Sequence, residues 1–185
     1  MPMRIIFVLL ASLILYSCSG QLSERIFKEQ EWSGNYALAD GVKSNVPEMI
    51  DGNLETSGKA VFPDGVYGKQ VFGAFPNAEA MITLLEKKNI SKIVIYSDDL
   101  SDFKVMASAG GEEGKENWML IKEFSNNRQK EITIRTSVMT NKILIRARGK
   151  APIDSTESTR VLGGVITSRK ISEPEIKEVE LYGFE

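Results

Sequence analysis

The chain has 185 residues, with 23 basic and 25 acidic side chains, one cysteine and no histidine. Without imidazole there are no serine–histidine or cysteine–histidine nucleophile pairs, no histidine general base and none of the common zinc sites, while carboxylate chemistry stays open. A formal charge of −2 gives no basic surplus, so no nucleic-acid partner is expected, and a lone cysteine leaves the core to hold by packing without an internal disulfide.

Ile5 to Tyr16 is apolar apart from Ser12, and Arg4 is the one charge ahead of it. The run is too short to span a bilayer core, which takes about 20 residues. It has the form of a secretory signal, with a buried N-terminal helix as the alternative. Leu15-Tyr16-Ser17-Cys18 resembles a bacterial lipobox. That resemblance implies a lipoprotein signal peptide over residues 1–17 and lipidation at Cys18, the new N-terminus. A buried structural cysteine is the alternative. At about 0.8 kcal/mol per buried CH₂, two acyl chains hold a protein on a membrane where one does not. Ser19, in place of an acidic residue, resembles the signal for sorting to an outer membrane. The expected location is therefore the bacterial cell envelope, lipid-anchored to the outer membrane on its periplasmic or surface face. Residues 18–31 read as a polar spacer and 32–185 as a single domain.

Within that domain, Asn35 to Ala39 reads as a first strand, ended by Asp40-Gly41. Ile50-Asp51-Gly52-Asn53-Leu54-Glu55-Thr56 reads either as a turn between strands or as an oxygen-rich loop suited to a hard cation such as Ca²⁺. It is not an EF-hand, because Phe62 holds the twelfth position where that motif needs Glu. Val61 to Gly73 reads as loops whose aromatics Phe62, Tyr67 and Phe72 either anchor on a core or offer a face to a sugar ring.

Asn77 to Lys88 has helix formers in Ala78, Ala80, Met81, Leu84 and Leu85, with Asn77 as a cap. Ile93-Val94-Ile95-Tyr96 is β-branched and aromatic, as strands prefer. Further strands are expected at Phe103–Ser108, Trp118–Ile121, Ile132–Arg135, Lys142–Arg148 and Glu175–Tyr182. Gly149 to Lys170 is a long polar stretch, functional or mobile. In the last strand Val179 and Leu181 share one face and Glu178 and Glu180 the other. Short strands, polar turns and no repeat argue an all-β antiparallel sandwich.

Met49-Ile50-Asp51-Gly52-Asn53-Leu54-Glu55-Thr56, then Asn89-Ile90-Ser91-Lys92-Ile93-Val94-Ile95-Tyr96-Ser97 with Trp118 downstream, then Ile176-Lys177-Glu178-Val179-Glu180-Leu181-Tyr182-Gly183 follow one another in the chain. Together they resemble the discoidin family, also called the F5/8 type C or galactose-binding-like domain, over most of residues 32–185. The resemblance implies a jelly-roll β-sandwich and a binding module without catalysis, with glycans the usual ligand and phospholipid or protein in some members. It implies that Ala80 to Leu85 is extended despite its propensity. It also implies a structural Ca²⁺ held by Asp51, Asn53, Thr56 and Glu178; the alternative for Glu178 is an ordinary solvent-facing strand residue. Gly58 stands where the family often has Trp.

The function expected is a lipid-anchored envelope module that recognises carbohydrate through its loops, with Tyr67, Phe72 and Arg160 as candidates. The alternative is an envelope assembly protein with a protein partner and no sugar site. An enzyme would have to draw on the paired carboxylates Asp98, Asp99, Glu112 and Glu113.

Overall fold

Two long strands organise the fold, and the reason is a period of two. In a computed structural model, which describes residues 31–63, 77–111, 115–149, 156–161, 164–169 and 172–184 (backbone alone for 156–161 and 164–169), the strands run as follows. They are β1 (Lys43–Ser44), β2 (Gly58–Lys59), β3 (Asn77–Tyr96), β4 (Phe103–Ser108), β5 (Trp118–Phe124), β6 (Glu131–Arg148), β7 (Thr156–Val161), β8 (Gly164–Arg169), β9 (Glu175–Ile176) and β10 (Glu178–Tyr182). β3 and β6 pair antiparallel from Asn77↔Arg148 to Tyr96↔Glu131. β4 lies on the far side of β6 and β5 outside β4, while β1 and β10 pair with the other edge of β3. β2 pairs with β9, and β7 with β8.

The β3–β6 register shifts between Thr83 and Lys88. Each long strand therefore serves two halves of the sandwich. The first half of β3 meets β1 and the end of β6; its second half meets β10 and the start of β6. Such an irregularity bends a strand and raises its twist. Ala78, Ala80, Ile82 and Leu84 from one half, and Ile90, Ile93 and Ile95 from the other, join one buried cluster. Alternate residues of β6, among them Ile132, Ile134, Ile143, Ile145 and Ala147, join the same cluster.

Residues 77–88 are thus extended, as the family resemblance implied. Helix propensity is overridden because the apolar residues fall at every second position and both edges of the strand find partners. A cross-strand ion pair reinforces the register: Arg146 Nε donates to Glu79 Oε1 at 2.8 Å, from directly opposite.

Other expectations change. Asn35 to Ala39 is not a strand but a 3₁₀ turn over Tyr36–Leu38. Asn35 Oδ1 accepts from the Ala37 N–H at 3.0 Å and from the Leu181 N–H at 2.9 Å. A side chain that caps its own backbone competes with a sheet ladder. The stretches expected as separate strands at 77–88 and 90–97 are one strand, as are those at 132–135 and 142–148. The polar stretch 149–170 contains the hairpin β7–β8, in keeping with its Thr156, Thr159, Val161, Val165 and Ile166.

Ser97 closes β3. Its hydroxyl donates to the Glu175 carbonyl at 2.6 Å and accepts the N–H groups of Asp99 and Leu100. The two ends of the domain meet as well. Trp32 bridges Phe184, the Ser33 N–H donates to the Gly183 carbonyl at 3.1 Å, and the Gly183 N–H donates to Ser33 Oγ at 2.9 Å. Trp32–Phe184 forms one compact unit.

Gly58 explains itself by space. A Cβ there would stand 2.3 Å from Val46 Cγ1 and 2.8 Å from Glu48 Oε2. The room a tryptophan would need is already taken. Gly58→Ala is expected to lose about 1–3 kcal/mol through overpacking against buried Val46. Gly34→Ala, with nothing within 4 Å, should stay within about 0.5 kcal/mol. Urea unfolding midpoints of the two variants check this.

Candidate functional site

The candidate site begins at the end of a 3₁₀ turn over Pro47–Ile50. That turn ends at Asp51, and Gly52 follows with φ +75°. This left-handed backbone suits glycine. It aims the Gly52 N–H at the closing strand β10, where it donates to Glu178 Oε2 at 3.1 Å across 126 residues of sequence. The early acidic turn and the closing strand are therefore neighbours in space.

Inside the loop, Asp51 Oδ1 accepts the Asn53 N–H at 2.9 Å, and Asn53 Oδ1 accepts the Glu55 N–H at 3.0 Å. The Thr56 hydroxyl lies 2.7 Å from Asp51 Oδ2 and 2.8 Å from the Asn53 carbonyl, and can donate to either. These are the Asx turns that Asp and Asn form with their own backbone. The turn reading is thus correct in part: Asp51-Gly52 does turn the chain, but between a 3₁₀ turn and β2 rather than between two hairpin strands.

Strand alternation placed Glu178 on the face opposite Val179 and Leu181, and the solvent-facing alternative made it an exposed residue. It is instead 2% exposed. The outer face of β10 is roofed at that point by the Asp51 loop, a contact that alternation within one strand cannot reveal. Burial raises the Glu178 pKa to about 7; the Gly52 N–H works against that, and the Asp51 charge adds to it. Glu178 Oε1 is buried without a hydrogen-bond partner among the described residues. An unpaired buried carboxylate oxygen is costly.

That orphan atom is the test of whether a cation suits the site. The loop and the strand offer side-chain oxygen: the carboxylates of Asp51 and Glu178, the amide oxygen of Asn53 and the hydroxyl of Thr56, with the Gly52 N–H joining Glu178 to the loop. Oxygen donors of this kind select a hard cation such as Ca²⁺ over a transition metal. In donor type the residues present fit the group.

The carbohydrate candidates cannot be placed in the same way. Tyr67 and Phe72 lie outside the described residues, as does the side chain of Arg160, and so do Cys18, Glu112 and Glu113. Asp98 does lie within them. It pairs with Lys130 at 2.8 Å and Lys177 at 2.6 Å, contacts that hold its carboxyl at about 2. Reading by element overlooked Asn35, whose amide ties the entry turn to β10, and Ser97. A polar residue flanking an apolar run was the only signal for either.

This architecture is a galactose-binding-like β-sandwich, the fold of discoidin-type domains. Solved structures of that class are similar over most of the chain. Chitosan-binding module 2 from a chitosanase/glucanase of Paenibacillus sp. IK-5, solved with chitotriose, matches at a TM-score of 0.54 and 14% identity, covering 80% of this chain and 100% of that one. Module 1 of the same enzyme matches at 0.54 and 11%, covering 82% and 100%. A module produced by Clostridium perfringens, in complex with GlcNAc-α-1,4-galactose, matches at 0.52 and 18%, covering 83% and 95%. At such identities the likeness is one of fold. No family model matches the chain, and no curated protein sequence matches it.

Proposed function

We propose that the chain is a non-catalytic carbohydrate-binding module, carried on the bacterial cell envelope by lipid at Cys18 and oriented there on the outer membrane. The observation that carries the binding reading is the whole-module match. All of chitosan-binding module 2 is covered by 80% of this chain, so what is similar is a whole binding module. The lack of histidine supports a role without catalysis. So does Asp98, which two lysines hold ionised and which makes a poor proton donor. Ca²⁺ would be held by Asp51, Asn53, Thr56 and Glu178. Its part is structural: to neutralise the two carboxylates and tie the closing strand to the early loop.

The test is a glycan array read with the detergent-solubilised lipoprotein, including chito-oligosaccharides and galactosides. Binding to one glycan class is expected, with Tyr67→Ala weakening it about tenfold, the size of a lost aromatic stacking contact. Silence across the array would overturn the reading.

A second reading, an assembly protein with an envelope protein as partner, draws on one feature. β5 is the outer strand of its sheet and leaves Met119 47% and Leu120 50% exposed. An edge strand with apolar side chains can take on a further strand from a partner. Array silence together with a stoichiometric envelope protein, lost on Leu120→Lys, would select it.

A further inference from the structure

The closing strand β10 has β3 along one edge, and the entry segment answers the other edge largely with side chains. The Leu181 N–H donates to Asn35 Oδ1 at 2.9 Å, and the Gly183 N–H donates to Ser33 Oγ at 2.9 Å. The Ser33 N–H donates back to the Gly183 carbonyl at 3.1 Å. Beyond these, the Trp32 and Phe184 rings stack at 4.3 Å and remain 37% and 38% exposed. Residues 32–35 therefore lie along β10 as a strap.

Leu181 and Gly183 are two residues apart, so their N–H groups point to the same side of the strand, away from β3. Bare donors in such a row accept a further strand. A paired strand would meet them with carbonyls. The strap meets them with an amide oxygen and a hydroxyl, which seal the edge without a ladder.

The strap is also separable from the core. It adds no side chain to the buried apolar cluster, whose first member is Ala37. Gly34, between the two sealing residues, has nothing within 4 Å of where a Cβ would stand. Asn45 gives the contrast. It seals β3 in the same manner, its Oδ1 accepting the Met81 N–H at 2.7 Å and its Nδ2 donating to the Glu79 carbonyl at 3.1 Å. That seal, however, is held between β1 and buried Val46. Segments with few buried apolar contacts open locally, at a free energy below that of global unfolding. We propose that Trp32–Asn35 is an edge gate: it opens as one unit apart from the core, and so alternately seals and bares the outer edge of β10.

The test is amide hydrogen exchange, read by NMR on the detergent-solubilised full chain in urea kept below the unfolding transition. Ile145 is the reference, because β6 lies between β3 and β4 at that point. Leu181 and Gly183 are expected to share one opening, about a hundredfold or more easier than that of Ile145, and nearly independent of urea. Ile145 should quicken as urea rises. Asn35→Ala should speed Gly183 about fivefold, although the Ser33 hydroxyl that holds Gly183 is untouched. Trp32→Ala, which leaves the Asn35 cap in place, should speed Leu181 and Gly183 together. If Leu181 and Gly183 follow Ile145 in rate and urea slope, the strap opens only with the core and the gate is overturned. If Gly183 ignores Asn35→Ala, or neither amide answers Trp32→Ala, the contacts are independent and the gate is equally overturned.

Discussion

Ile95→Ala is expected to cost about 2–5 kcal/mol of folding stability, the range for truncating a fully buried isoleucine. Ile95 is 0% exposed and lies between Val179 of β10 and Ile132 of β6 in register. All three belong to one buried cluster that also takes residues from the other half of β3. Strands on both sides fix the positions of their side chains, so the neighbours have little freedom to collapse into the space, and the cavity adds to the lost transfer energy. For a chain of this size the loss corresponds to roughly 5–15 °C in melting temperature. Leu85→Ala provides the contrast, since Leu85 is 79% exposed on the same strand and its truncation should stay within about 0.5 kcal/mol. Denaturant unfolding at unchanged m-value reads both. If the two variants lose the same amount, the inner face of β3 is not where the core lies.

The same strand shows how much could be read from the chain alone. Ile93 and Ile95 were legible because Ile93-Val94-Ile95-Tyr96 is a β-branched and aromatic run, which favours a strand without reference to anything else. Ala78 to Leu85 was not legible in that way. Its residues favour a helix, and what makes it extended is pairing with β6, 59 to 69 residues later in the chain. Only the resemblance carried that expectation. The union of four expected strands into two long ones was hidden for a related reason. Glu86 and Lys87 occupy a register shift that bends β3 without ending it. Asn35 failed through local competition: its amide caps a 3₁₀ turn where the flanking apolar residues suggested a strand. The candidate site divides along the same line. The Asp51-to-Thr56 loop was visible, because its chemistry is contiguous. The burial of Glu178 was not, because it depends on a loop 126 residues away.

That burial yields a pH-dependent stability with a definite sign. In EDTA, raising the pH from about 5 to about 8 is expected to destabilise the domain by up to about 3 kcal/mol. The folded Glu178 carboxyl is raised to about 7 from an ordinary 4.5. Below the lower value both folded and unfolded chains hold the proton. Between the two values the unfolded chain releases it while the folded chain keeps it, so stability falls with rising pH until the folded group also ionises. The window is otherwise quiet, since the chain has no histidine. Glu178→Gln keeps the shape and removes the titration, so its melting temperature should be flat across the window. Calcium then supplies an independent second readout. A cation bound by the folded state alone raises stability by mass action, about 2.7 kcal/mol at a hundredfold excess over its Kd. At pH 8 this should recover most of what ionisation of Glu178 removed, and Asp51→Ala should abolish the recovery. The two arms separate the causes. A pH slope without a calcium response would keep Glu178 as a buried acid and discard the ion; a calcium response without a slope would mean that Glu178 is not buried as found. A flat profile in wild type and Glu178→Gln alike, with no calcium response, would mean that the early loop does not roof the closing strand.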